Sequence, residues 1–390
     1  IHILYFVPFG MIFFSNILIT QLKGFAYMGE LAIFIASSSF LAIIFGLRWD
    51  TELLIRPLAS AELSFVMGSS SIFILTAALS FIAIPAFLFL DQEITALIAL
   101  IISAAFLSFN ELFCSLLLKK EQKYLYLLCK SLPYIFLLFC VAIDLGHQAS
   151  WVLALLCSII INISCTYSFL ARLKISEVLK NQSVLKNLYH KISPMLSAVI
   201  TNSYPLLLLF FIQLSFGGLM VGVWINAYRI FSLPAAITGA VFLPFFLNTL
   251  SSQKNNIQIL SMYKYLLIVF SLTLPFLLFT NIYGNDLFQT LTKSDFLVDP
   301  LIFIFALVIG YLQYSLQFLK DLFQTLRYDY IFLLILLTQL FISLVAYFLF
   351  APITLISLLS IILTITSLTY LATMFVLTFL SFQLKKNKEC

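Results

Sequence analysis

The stretch INAYRIFSLP, Ile225 to Pro234, places a permanent cation, Arg229, between the apolar runs FGGLMVGVW and AAITGAVFLPFFLN. A guanidinium stays charged and presents a planar fork of donors suited to phosphate or carboxylate oxygens. Arg229 lies about eleven residues into an apolar segment, near mid-depth of a bilayer. A charge there costs about 2.5–3.5 kcal/mol on the insertion scale. Two readings fit. Arg229 snorkels or is satisfied by helix carbonyls, or it faces a wet cavity and holds an anion. Asn226, three residues earlier, shares its helix face, and Pro234 frees a carbonyl one turn back.

The other polar groups inside apolar runs are few. Lys130 lies about one and a half turns into its run, within snorkelling reach of the interface, so it reads as anchor or ligand. Glu111 is the one carboxylate well inside a run and reads as an ion-pair partner near the interface or as an ion-coupling group. Gln313 and Gln317, spaced i, i+4, share a face and form the best-placed neutral pair for contacting a ligand. Asn16, Asn162, Asn202, Gln213, Asn248 and Gln339 read first as glue between helices. Arg48, Asp50, Glu52 and Arg56 alternate in GLRWDTELLIRP, as a charged network or a gate, with Trp49 as interfacial anchor. His2, His147 and His190 are scattered, and no metal-ligand spacing, phosphate loop or nucleophile elbow occurs. No metal, cofactor or covalent chemistry is expected.

These residues are carried by elements that composition dictates. Of 390 residues 63% are hydrophobic and 9% charged, against roughly 25% charged in a soluble domain. The chain is therefore expected to be an all-α polytopic membrane protein. Nothing points to nucleic acid. The six cysteines read as small apolar filler rather than a disulfide framework. The chain opens on Ile1 rather than Met, which predicts a short preceding piece, and the first run reads as a retained span.

Runs long enough to span a bilayer lie near 1–21, 30–47, 62–90, 94–118, 124–143, 150–171, 194–215, 218–249, 264–282, 299–318, 329–350 and 353–382. Pro85 and Pro234 fall inside two of the longer ones and predict kinks. With the N-terminus in the cytoplasm, 17 of the 21 cations fall on the cytoplasmic side and two, Lys23 and Lys293, on the other. That asymmetry predicts cytoplasmic termini and an even span count. The opposite loops are short, so no soluble enzyme domain fits on either side.

The longest polar connection, Arg172 to Pro194, repeats Val178, Leu179, Val184, Leu185, Leu188, Tyr189 and Ile192 between lysines, as an amphipathic helix on an anionic leaflet would. It divides the chain into a six-helix bundle at 1–172, a linker at 173–193 and a second bundle at 194–390. The halves echo one another. QLKGFAYMGELAIF, around Gly24 and Gly29, answers FGGLMVGVWINA, around Gly217 and Gly222, about half a chain later. Such two-fold repeats are common in transporters.

Three segments resemble one family. FGLRWDTELLIRP is similar to the Leu-Arg-Tyr-Glu/Asp motif that closes the second span of Wzx-type polysaccharide flippases, with Trp49 for the Tyr and Arg48 and Asp50 matching. YMGE resembles the turn-Phe-Gly entry to that span, with Met28 for the Phe. NAYRIFSLPAAITGAVFLPFF resembles the eighth span. The resemblance implies the fold of the multidrug/oligosaccharidyl-lipid/polysaccharide (MOP) exporter superfamily, two pseudo-symmetric six-helix bundles around a central cavity. It implies a substrate, undecaprenyl-diphosphate-linked oligosaccharide, carried across a bacterial inner membrane for O-antigen, capsule or lipopolysaccharide assembly. It also implies the company of membrane lipids, a polysaccharide polymerase and a chain-length regulator. Arg229 carries over as the diphosphate ligand and Arg48 as a motif residue. The reading of the residues themselves adds Asn226, Gln313, Gln317 and Lys130 as further substrate-contact candidates and Glu111 as the ion-coupling candidate. A multidrug antiporter of the same fold is the rival, though such a protein is expected to carry a first-span carboxylate that this chain lacks. A membrane-embedded polymerase or glycosyltransferase would want a large outer loop or an acidic pair, and a purely structural subunit would leave Arg229 unexplained.

Overall fold

A computed structural model of the chain describes residues 6–47, 49–50, 53, 61–89, 94–120, 122–170, 184–234, 255–325 and 329–389. Ten long helices account for nearly all of them: α1 Phe6–Gly46, α2 Ala61–Phe89, α3 Ile94–Lys119, α4 Lys123–Ala142, α5 His147–Leu170, α6 Val184–Phe231, α7 Asn255–Thr292, α8 Pro300–Thr325, α9 Asp329–Phe350 and α10 Leu355–Glu389. Eight of these are long and apolar enough to cross a membrane. Large apolar side chains such as Phe81, Leu214, Phe348 and Ile353 stand exposed, which suits a surface solvated by lipid rather than water. The chain is a multi-pass membrane protein.

Ten helices hold the twelve expected spans because α1 and α6 each hold two. α1 runs for 41 residues; straight, it would reach about 60 Å, twice a bilayer core. Gly24 interrupts it with φ 83 and ψ 174, and Gly217 interrupts α6 with φ 79 and ψ 174. That backbone region is open essentially to glycine alone. At Gly24 the chain reverses. Before it, Ser15 meets the Tyr134 carbonyl and Lys23 meets Asp144, so the first arm follows α4. After it, Tyr27 and Phe34 meet His147 and Ser38 meets Trp151, so the second arm follows α5. α4 and α5 are themselves joined by a turn of four residues, 143–146. The two halves thus open with the same glycine device, where the sequence repeat placed it.

By the clustering of its packing the chain divides into two compact units, residues 3–209 and 210–390. Residues 194–209 group with the first. Of the expected interfacial linker at 173–193, residues 173–183 lie outside the described residues, and from Val184 the backbone is helical and continuous with the seventh span.

Unit 1 is stitched by small polar groups. Ser108 Oγ lies 2.8 Å from the Ala42 carbonyl across helices and 2.9 Å from the Ala104 carbonyl of its own turn. Trp151 Nε1 donates to Ser38 Oγ at 3.1 Å, and Asn162 Nδ2 donates to Asn110 Oδ1 at 2.7 Å. Asn162 is therefore interhelical glue, whereas Asn16 donates back to Ile12 of its own helix. Trp49 departs from expectation. It is not an interfacial anchor but a core residue, 1% exposed, donating to Ser71 Oγ at 3.1 Å. Gly68 makes that possible, because a Cβ there would lie 2.9 Å from the Trp49 Cβ. The lone cation of the turn at Gly24 is also accounted for, since Lys23 pairs with Asp144. Pro85 sits inside α2 without ending it, whereas α6 stops at Phe231, with a bend at Ser232 just ahead of Pro234.

Unit 2 packs around Phe303 of α8, whose ring lies 4.7 Å from Phe231 and 5.3 Å from Phe288. Gly310 lets α8 approach α6 closely; a Cβ on it would stand 2.4 Å from the Ser232 Cβ. At the other arm of α6, Phe211 stacks on Tyr347 of α9 at 4.0 Å, and Ser215 shares a hydrogen bond with the Tyr347 hydroxyl at 2.8 Å.

Candidate functional site

Polar groups collect at two places, one in each unit. In unit 2 the close approach at Gly310 sets α8 against the last turn of α6, where Arg229 lies. Tyr228 donates its hydroxyl to Gln313 Oε1 at 2.6 Å, tying the two helices beside the arginine. Arg229 itself is half-buried. A cation in the last turn of a helix also meets the negative end of the helix dipole. Asn226 is fully buried and donates to the Gly222 carbonyl of its own helix at 2.9 Å. The structure thus ties Gln313 to the turn of α6 that carries Arg229, through Tyr228, a residue that sequence reasoning did not single out. Gln317 lies one turn further along α8, its side chain outside the described residues, as is Arg48 altogether.

In unit 1 a cavity of about 350 Å³ opens between the second arm of α1, α2, α3, α4 and α6. Glu111 and Lys130 line it and form an ion pair. Asp50, Asn202 and Tyr134 also face it, with the serines Ser39 and Ser108. Two residues given separate roles by the sequence therefore share one cavity. The signal for their pairing was present: they stand about two turns either side of the α3–α4 turn, on antiparallel neighbours, and so at similar depth. Asp50 and Asn202 had no such signal, because their chain segments are remote and only the fold joins them.

At the α4–α5 turn Lys23 holds the Asp144 carboxyl below the usual carboxylate range through a hydrogen bond and its charge. His147 Nδ1 lies 3.5 Å from Glu30 at the same end. Among the described residues no group of His, Cys, Asp or Glu has the arrangement of a metal site.

No family model and no curated protein matches the sequence. Solved structures do. An inward-facing multidrug resistance MATE family transporter of the MOP superfamily superposes with TM-score 0.66 at 16% identity, covering 99% of this chain and 96% of its own. The chain shares the fold of this transporter. A point mutant of the Vibrio cholerae MATE transporter VcmN matches with TM-score 0.64 at 16% identity over 99% and 95% of the two chains. A MOP superfamily transporter from Pyrococcus furiosus, described by a binding pocket of reverse polarity that suggests a different function, matches with TM-score 0.63 at 13% identity over 98% and 95%. At these identities the likeness is one of fold: a twelve-span, two-lobed membrane protein, as the sequence led one to expect.

Proposed function

We propose that the chain is a flippase for an undecaprenyl-diphosphate-linked oligosaccharide in a bacterial inner membrane, with both termini cytoplasmic and bundles at 1–172 and 194–390 joined by an interfacial linker at 173–193. The observation that carries this reading is Arg229, a permanent cation in the last turn of an otherwise apolar helix, next to Tyr228, which bonds to Gln313 of α8. The fork of Arg229 suits two phosphate oxygens at once. The diphosphate would bind there, the neutral side chains would contact the sugars, and the prenyl tail would stay in lipid. A rocking motion of the two halves, the mode expected of inverted-repeat transporters, would then expose the headgroup to the other side. The reaction is transport, with no bond made or broken.

The test is export of long-chain surface polysaccharide in a strain lacking its own flippase, with Arg229→Ala beside Arg229→Lys at equal membrane expression. The alanine variant should abolish export. The lysine variant should retain part of it, keeping the charge but not the fork. Normal export by both would end the diphosphate role.

A second reading has one observation in its favour. Glu111 and Asp50 line a cavity in unit 1, so a cation-coupled multidrug exporter would find carboxylates there despite having none in its first span. That reading predicts efflux of cationic dyes that is lost in Glu111→Gln and indifferent to Arg229.

A further inference from the structure

The unit 1 cavity has a lining of a different character from the Arg229 cluster. Among the described residues its charged groups are two carboxylates, Asp50 and Glu111, and one ammonium, Lys130. A lipophilic cation is poorly served there. Such ligands want an uncommitted carboxylate and a cage of aromatic rings, but Glu111 is engaged by Lys130 and, among the described residues, Tyr134 is the one ring in the lining.

What the lining does suit is a neutral group that donates and accepts at every position. A sugar hydroxyl does both. Ser39 Oγ donates to the Ile35 carbonyl at 2.7 Å and Ser108 Oγ to the Ala42 carbonyl at 2.8 Å, so both serines offer lone pairs to the cavity. Asn202 donates to the Ala198 carbonyl at 2.8 Å, which fixes its amide and leaves the amide oxygen as a further acceptor. Lys130 supplies the donors. Leu107, Leu112 and Ile43 give an apolar wall for the C–H face of a pyranose. At about 350 Å³ the cavity stands at the small end of ligand sites, which run from about 300 to 1,000 Å³, enough for a sugar ring and its waters but not for an extended chain.

We propose that this cavity is a saccharide subsite. It takes one uncharged, hydroxyl-rich ring, with the Glu111–Lys130 pair presenting an acceptor and a donor side by side. As a subsite for the headgroup it rests on the flippase reading, but sugar binding is measured without transport.

The experiment uses the full chain in detergent and diazirine-bearing glucose, galactose, mannose and N-acetylglucosamine as photo-crosslinking probes, each competed with its free sugar. Competable labelling is expected on peptides spanning 107–134. Two variants test the place. Gly46→Leu fills the cavity: Gly46 lines it, a Cβ there meets nothing closer than 3.9 Å, and leucine is the better helix former. It should cut labelling about tenfold or more. Glu111→Gln keeps the volume but uncouples Lys130, and should cut labelling severalfold. Absence of competable labelling across the four sugars would overturn the proposal, as would labelling unchanged in Gly46→Leu, or competition by tetraphenylphosphonium in place of sugar. If sugars bind here but Arg229→Ala exports normally, the diphosphate role falls and the subsite stands. If export needs Arg229 while no sugar labels the cavity, only the subsite falls.

Discussion

Gly310→Ala is a sharp test of the packing that positions Arg229. An alanine Cβ at this position would stand 2.4 Å from the Ser232 Cβ and 3.2 Å from its backbone α-carbon. Carbon atoms rest at about 3.5–4.0 Å, so α6 and α8 must part by roughly 1–1.5 Å to admit one methyl. Overpacking of this kind costs about 1–3 kcal/mol. Alanine in place of helical glycine returns up to about 1 kcal/mol of propensity. Parting the helices also breaks the 2.6 Å bond from Tyr228 to Gln313, a further loss of about 1 kcal/mol. The net destabilisation is about 1–3 kcal/mol, which in a unit of this size lowers the melting temperature by roughly 2–4 °C per kcal/mol. Tryptophan fluorescence melting in detergent reads it. Adding Ser232→Gly removes the nearer obstacle and should recover part of the loss, the crowding against the backbone of residue 232 remaining. A Gly310→Ala protein that melts with or above the wild type, or a double variant with no recovery, would refute the close approach of α6 to α8 and with it the Tyr228–Gln313 bond beside Arg229.

Three further outcomes follow from the same geometry. Gly24→Ala and Gly217→Ala force a side chain into a backbone region that disfavours it by about 1–3 kcal/mol, and each should lower thermal stability in the same way, their equality being the test of the repeat. Glu111→Lys and Lys130→Glu singly set like charges together and should each reduce folded yield, while the double swap restores it, as size-exclusion profiles will show. The Lys23–Asp144 pair depresses the Asp144 pKa; its stabilisation is complete above the ordinary carboxylate value of about 3.9 and fades as pH falls through the lower folded value, so Asp144→Asn should lower the melting temperature slightly at neutral pH, as expected for an exposed pair, and flatten the acid limb, the two melting-versus-pH curves converging at low pH.

The sequence made the spans legible because lipid demands long apolar runs, and it made the repeat legible because Gly24 and Gly217 are both required by backbone geometry. Arg229 stood out because charge is rare in such surroundings, and its cluster was half visible through Gln313. Tyr228 was hidden among the 18 tyrosines of the chain, since nothing local marks a phenol that bonds across helices. Trp49 was misplaced for a related reason. An indole near a helix end is at home at an interface or in a core, and the small residue that decided between them, Gly68, is remote in sequence. The unit 1 cavity was the least legible feature, because five helices contribute to it and no one of them carries a motif.

The glycine breaks have a consequence for biogenesis. A hairpin closed by one non-helical residue has no loop to translocate. At Gly24 the whole freight of the turn is Lys23, which meets Asp144 only once α4 and α5 are in place. The first two spans must therefore enter the membrane as a pair, hold a lone ammonium at their turn, and wait for later helices to be made before it is neutralised. The same pair is the part of each half least able to accept an inserted residue, because one extra position at the break would rotate one arm against the other and misalign its packing along the neighbouring helices.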